Sequence, residues 1–390
     1  TVHLIFMAAT AITTTYINTL LMRVSTDANA AFKYDIIFYA FTAIGMLLAT
    51  FIMKKFSNKT ILIIGAVFYM LVYGLTLVFV SHIDSIYGFI SALHGVGCGF
   101  YWIEVSRATV SYTTDDTREV AMAYMGVFVG AVGLIVPLIT GIVIDITPGL
   151  YGYFIVFGLC FLLCLLTVFF VLKLRALPAK NKKTKLLHTF KLSNTNPLWA
   201  NIMWSQLFIG IRDGSFGIFL SVLLFELVKS ESVIGINSFL VGIIGIFANF
   251  VIGKVMRPNN RMKYMLISTT VMAILTAFLF IKLNAINILL LSVAGSFLGS
   301  FMLTPATATL YTFLDEVEEA KNLEGEIFSI VDCYKNVGRI LGILVIMLVP
   351  KTDFYYVVAL MILSVSQYIT YIFTKFTLKS IKKESLNVVR

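Results

Sequence analysis

The chain has 390 residues, of which 59% are hydrophobic and only 13% charged, with a mean hydropathy of +0.93. A soluble domain carries roughly 25% charged residues, so this composition excludes an ordinary soluble protein. The net charge of +10 is no nucleic-acid signature, because the basic residues lie beside long apolar runs.

Taken in chain order, the apolar runs fall at about 2–22, 35–53, 60–80, 86–110, 119–143 and 152–172. A second set follows at about 198–226, 233–253, 264–281, 286–313, 324–349 and 354–374. About 20 residues of helix cross a hydrocarbon core of roughly 30 Å, and a helix satisfies its own backbone groups. Runs of this length are too long for barrel strands. The prediction is an all-α polytopic membrane protein with 12 transmembrane helices in two pseudo-symmetric six-helix halves. Its parts are a first bundle over 1–172, a basic cytoplasmic linker over 173–197, a second bundle over 198–378 and a cytoplasmic tail over 379–390. No cleavable signal-peptide pattern stands at the start of the sequence, where Thr1 opens directly into the first apolar run.

The linker holds Lys173, Arg175, Lys180, Lys182, Lys183, Lys185 and Lys191 and no acidic residue. With both termini and this linker on one side, that side holds 21 of the 30 Lys and Arg residues, the other side 5 and the spans 4. The positive-inside rule makes the rich side cytoplasmic. The turns at Lys54, Lys55 and Lys59 and at Lys254, Arg257, Arg261 and Lys263 give the same orientation. The expected location is therefore the cell membrane, with the basic linker against anionic lipid headgroups. Cys98, Cys160, Cys164 and Cys333 all fall in apolar runs without zinc-ligand spacing, so they read as small apolar residues, and no metal is expected.

An internal repeat is visible. The fourth span carries Gly95, Gly97 and Gly99 and ends near Asp115, Asp116, Arg118 and Glu119. The tenth carries Gly295 and Gly299 and ends near Asp315, Glu316, Glu318 and Glu319. Parallel repeats of this kind place a substrate site near the midplane. No P-loop, nucleophile elbow or His-Glu-x-x-His motif occurs, so neither an enzyme nor a cofactor is expected.

Six plus six spans around a basic middle loop resemble the major facilitator superfamily, over the whole chain. The superfamily turn Gly-x-x-x-Asp-Arg-x-Gly-Arg-Lys has its counterparts at Lys54, Lys55 and Lys59, which keep the charge, and at Gly253, Arg257, Arg261 and Lys263, which keep the glycine as well. His94, Gly95 and Gly97 resemble the Arg-x-x-Gln-Gly stretch, with Ser91 at the arginine position. Gly130, Gly133, Pro137 and Gly141 are similar to the antiporter signature of the fifth span, with Val136 before the proline.

Seven ionisable residues lie well inside the spans: Glu104, Arg107, Arg212, Asp213, Asp332, Lys335 and Arg339. Such groups cost several kcal/mol at bilayer depth and mark pathways or partners. The resemblance places the third, sixth, ninth and twelfth spans as outer supports, and these contain none of the seven. Arg212 and Asp213 fall roughly 20 Å into a helix about 43 Å long, near the midplane. They read as a proton or substrate site, with Asp213 titrating and Arg212 tuning it or gripping an anion, or else as a structural ion pair. Asp332, Lys335 and Arg339 share one helix face. Asp332 is expected to pair with Lys335, leaving Arg339 for Asp213, Glu104 or an anionic substrate. Glu104 is expected to pair with Arg107 or to exchange protons. Proton coupling or charge relay is thus assigned to Asp213, Arg212, Glu104 and Asp332. Substrate contact is assigned to Arg339, Lys335, Arg107, Tyr101, Trp102, His94 and Asn18, although His94 also reads as hydrogen-bonded packing.

The resemblance implies a secondary active transporter, acting as a monomer and working by alternating access on a small or amphiphilic organic substrate. Proton coupling is favoured over sodium. The fifth-span signature and the 33 Phe and 15 Met favour export. A proton-coupled lipid or glycolipid flippase is the alternative within the class, and a non-transporting membrane scaffold or sensor the alternative outside it.

Overall fold

Long apolar runs at bilayer depth have one economical solution, the helix, and the computed structural model is built from helices. It describes residues 2–53, 55–112, 115–174 and 185–388, with side chains described outside 106–127, 315, 321, 322, 324 and 382–388. The first six spans are α1 (Val2–Val24), α2 (Ala30–Ile52), α3 (Asn58–Val78), α4 (Tyr87–Tyr112), α5 (Asp115–Ile146) and α6 (Tyr151–Leu172). Each overlaps its predicted run. A short helix, α7 (Leu186–Thr195), lies inside the segment predicted as linker. Leu186, Thr189 and Ser193 recur at helical spacing and are buried.

The seventh span is divided. It forms α8 (Pro197–Asp213) and α9 (Phe216–Val228), separated at Gly214 and Ser215. Pro197 occupies the first turn of α8, where no backbone N–H is needed, and the Asn196 side chain accepts from the Leu198 amide. The remaining helices are α10 (Glu231–Val255), α11 (Arg261–Ala277), α12 (Ala285–Glu316), α13 (Glu318–Asn322) and α14 (Glu324–Leu348). The twelfth span is again split, into α15 (Asp353–Val365) and α16 (Gln367–Val388). Among the described residues, 10 spans are apolar and long enough to cross a membrane by length and composition. α4 and α14 complete the twelve, the latter carrying the charged face expected of it.

The helices form two compact units, one of Thr1–Thr184 with Leu224–Ile243, the other of Lys185–Leu223 with Ile244–Arg390. In the first, Gly95 and Gly99 of α4 let the α2 backbone approach closely. In the second, α8 and α14 meet the same way. A Cβ on Gly338 would lie 2.9 Å from the Ile211 nitrogen, and one on Gly210 would meet the Lys335 carbonyl. Small residues at helix contacts replace the hydrophobic driving force that lipid cannot supply.

Candidate functional site

The second unit contains the charges placed near the midplane. Arg212 and Asp213 stand in the last turn of α8, immediately before the break in the seventh span. A helix C-terminus carries partial negative charge. It favours Arg212 and disfavours Asp213, so the carboxylate requires a cation of its own. Neighbouring helical positions point about 100° apart, and the two side chains leave α8 in different directions.

Arg212 is buried, 8% exposed. Its Nη2 donates to the Gly295 carbonyl of α12 at 3.0 Å, and its guanidinium lies 5.2 Å from the centre of the Phe216 ring. A Cβ on Gly299 would come within 3.0 Å of its Nη1. The glycines of the tenth span thus make room for a guanidinium, whereas those of the fourth admit a neighbouring backbone.

Asp213 turns to α14, where its Oδ2 accepts from Arg339 Nη2 at 2.7 Å. Arg339 Nη1 also donates to Asn336 Oδ1 at 2.9 Å, one turn back on the same helix. The pair is only part-buried, with Asp213 34% and Arg339 23% exposed. Arg212 therefore serves α12, and Asp213 is partnered by Arg339, one of the partners foreseen for that arginine. The expected Asp332–Lys335 pair is absent. Both side chains are half-buried on α14, and among the described residues neither is within ion-pair distance of an opposite charge. Their three-residue spacing shares a face but does not force contact.

The fourth-span candidates lie in the first unit. His94, 2% exposed, sits among aromatic rings, with Nδ1 2.7 Å from the Tyr34 hydroxyl and Phe38 and Tyr69 against its ring. Tyr101 is fully buried and stacked on Phe6, with its hydroxyl 3.2 Å from His3 Nδ1. Trp102 is 37% exposed, and Glu104 is fully buried. Arg107, its expected partner, lies outside the residues whose side chains are described. Asn18 Nδ2 donates to Asp35 Oδ2 at 2.8 Å, and both residues are buried.

The same unit contains a cluster that the sequence did not reveal. Glu231, fully buried, accepts from Arg23 Nε and Nη2, each at 2.5 Å, and from the Tyr153 hydroxyl at 2.5 Å. Asp145 of α5 caps the start of α10, accepting from the Glu231 and Ser232 amides at 3.0 Å and from Ser230 Oγ at 2.7 Å. Tyr16 of α1 donates to the Pro137 carbonyl. These bonds attach the α9–α10 corner to α1, α5 and α6. Arg23 and Glu231 stand just outside their apolar runs, where a charge reads as solvated. The available signal was that Arg23 is one of only five basic residues on the side poor in them.

The long apolar helices make the chain a multi-pass membrane protein. The chain matches the Major Facilitator Superfamily over residues 2–343 and belongs to that superfamily. Its members move small molecules across membranes and are not enzymes. The uncharacterized protein YqgE of Bacillus subtilis strain 168 is 26% identical over 371 residues, covering 94% of this chain and 85% of that protein. Among solved structures, one concerning substrate recognition in proton dependent oligopeptide transporters is similar with a TM-score of 0.75 and 13% identity, covering 98% of both chains. A bacterial homologue of the iron transporter ferroportin, in an inward-facing state, gives a TM-score of 0.71 and 12% identity over 96% of this chain and 97% of that one. At these identities the likeness is one of fold.

Proposed function

We propose that the chain is a proton-coupled secondary transporter of the cell membrane, moving a small or amphiphilic organic substrate with an anionic group by alternating access. The observation that carries this reading is the Asp213–Arg339 pair, joining α8 to α14 at the break in the seventh span. Broken helices beside a midplane charge are where transporters of several folds bind substrates and ions. Charges within spans pair with one another and face the bundle interior or a water-filled cavity, and this pair is part-exposed.

The pair works as an exchange. An anionic group that takes Arg339 leaves Asp213 without its cation, at the negative end of α8, and Asp213 then takes a proton. Asn336 keeps the guanidinium oriented throughout. Arg212 and Lys335 add positive charge on the same two helices, so cations outnumber the carboxylates of Asp213 and Asp332. Proton and anion are bound together under this scheme and move in the same direction. With an inward proton gradient the result is uptake, and this argument replaces the preference for export suggested by the fifth-span glycines.

The test is a screen of organic anions and amphiphiles against proteoliposomes containing a pH-sensitive dye. The native protein should acidify the interior when an accepted anion is added outside, and Asp213→Asn should abolish that response. Equal proton movement in the variant would make the pair a structural one.

A further inference from the structure

We infer that Asp35 and Asn18 form a second proton-binding site, in the first unit, apart from the Asp213–Arg339 pair and independent of its role. Asp35 lies on α2 and is 6% exposed; Asn18 lies on α1 and is 8% exposed. Asn18 Nδ2 donates to Asp35 Oδ2 at 2.8 Å. The amide oxygen, Asn18 Oδ1, is buried and accepts from nothing among the described residues.

No cation among the described residues lies within ion-pair distance of Asp35, and the charged groups on the packed elements are engaged elsewhere. On α2, Lys33 bonds to Asp27 at 2.6 Å. On α1, Arg23 is held by Glu231, and Tyr16 donates to the Pro137 carbonyl. On α4, His94 meets the hydroxyl of Tyr34, the residue next to Asp35. His82 and Asp84, on the turn before α4, are exposed. A buried carboxylate with one neutral amide for company is costly.

A single proton answers both deficits. A primary amide and a carboxylic acid pair through two hydrogen bonds, the amide N–H to one carboxyl oxygen and the acid O–H to the amide oxygen. The first of these bonds is present. Asn18 Oδ1 is the unfilled acceptor for the second, and a proton on the remaining carboxyl oxygen of Asp35 supplies a donor for it. The proton comes from water, forms one O–H bond, neutralises the carboxylate and returns to water on release. A sodium ion fits less well, because the Asn18 group nearest the carboxylate is a donor and not an oxygen ligand.

Infrared titration of the intact protein in lipid nanodiscs reads this proton directly, without a substrate. The native protein should show the carbonyl stretch of a hydrogen-bonded carboxylic acid at neutral pH. Asp35→Asn should remove that band, and Asn18→Leu, which keeps the acid but removes its acceptor, should shift it to higher frequency. Asp213→Asn should leave it in place, which separates this site from the transport reading. The proposal is overturned if the native band is missing, if it persists in Asp35→Asn, if it is unmoved in Asn18→Leu, or if sodium at constant pH abolishes it.

Discussion

Glu231 is fully buried, while Arg23, which holds both its oxygens, is 37% exposed. That asymmetry determines what each substitution does. Arg23→Ala strands a buried carboxylate with only the Tyr153 hydroxyl, and removing one partner of a buried pair costs about 3–5 kcal/mol. Glu231→Gln leaves a neutral group that still accepts from Tyr153, and a part-exposed Arg23 that can find water or headgroups. Thermal unfolding in detergent should therefore show a much larger fall in Tm for Arg23→Ala than for Glu231→Gln. An equal fall would contradict the burial argument. The same contrast explains what was legible at this scale. Asp213 and Arg339 are conspicuous because each interrupts an apolar run, so their importance is visible in sequence. Arg23 and Glu231 flank their runs, and only the fold reveals that Glu231 is enclosed. Asp332 and Lys335 show the opposite error: correct helical spacing without the contact.

At the scale of the helix, packing of α8 on α14 rests on backbone proximity. Gly338→Ala would push a Cβ into Ile211 and Leu207 backbone atoms, which cannot rotate away, so a loss of about 1–3 kcal/mol is expected. Gly217→Ala in α9 meets nothing within 4 Å, and the better helix propensity of alanine should stabilise by up to about 1 kcal/mol. Thermal stability of the two variants, measured side by side, should move in opposite directions. Helix existence was readable from hydrophobic runs because lipid leaves the backbone no alternative. The interruptions at Gly214–Ser215 and Ser366 were not, since glycine and serine also occur within continuous spanning helices, and tertiary contacts decide where such a helix divides. Helix α7 was hidden for the converse reason. Its buried face consists of Leu186, Thr189 and Ser193, too polar a stripe to stand out beside a lysine-rich segment.

For the molecule as a whole, the charge distribution predicts the orientation in the membrane. Cys98, Cys160 and Cys164 are buried and Cys333 is half-buried, so a Cys333→Ala background should give little labelling of its own. In that background Lys229→Cys, on the turn between α9 and α10, should react with an impermeant thiol reagent added outside cells. Lys191→Cys on α7 should react only after the membrane is opened. The reverse pattern would invert the assignment. The central claim, that the Asp213–Arg339 pair carries coupling and does more than hold two helices together, has its most direct test in the charge swap Asp213→Arg with Arg339→Asp. A structural pair tolerates exchange of its members, whereas a coupling pair needs its carboxylate at the negative end of α8 and its guanidinium beside Asn336. The account predicts that the swap recovers thermal stability lost in the single variants while anion-dependent proton movement stays absent. Recovery of that movement together with stability would contradict it.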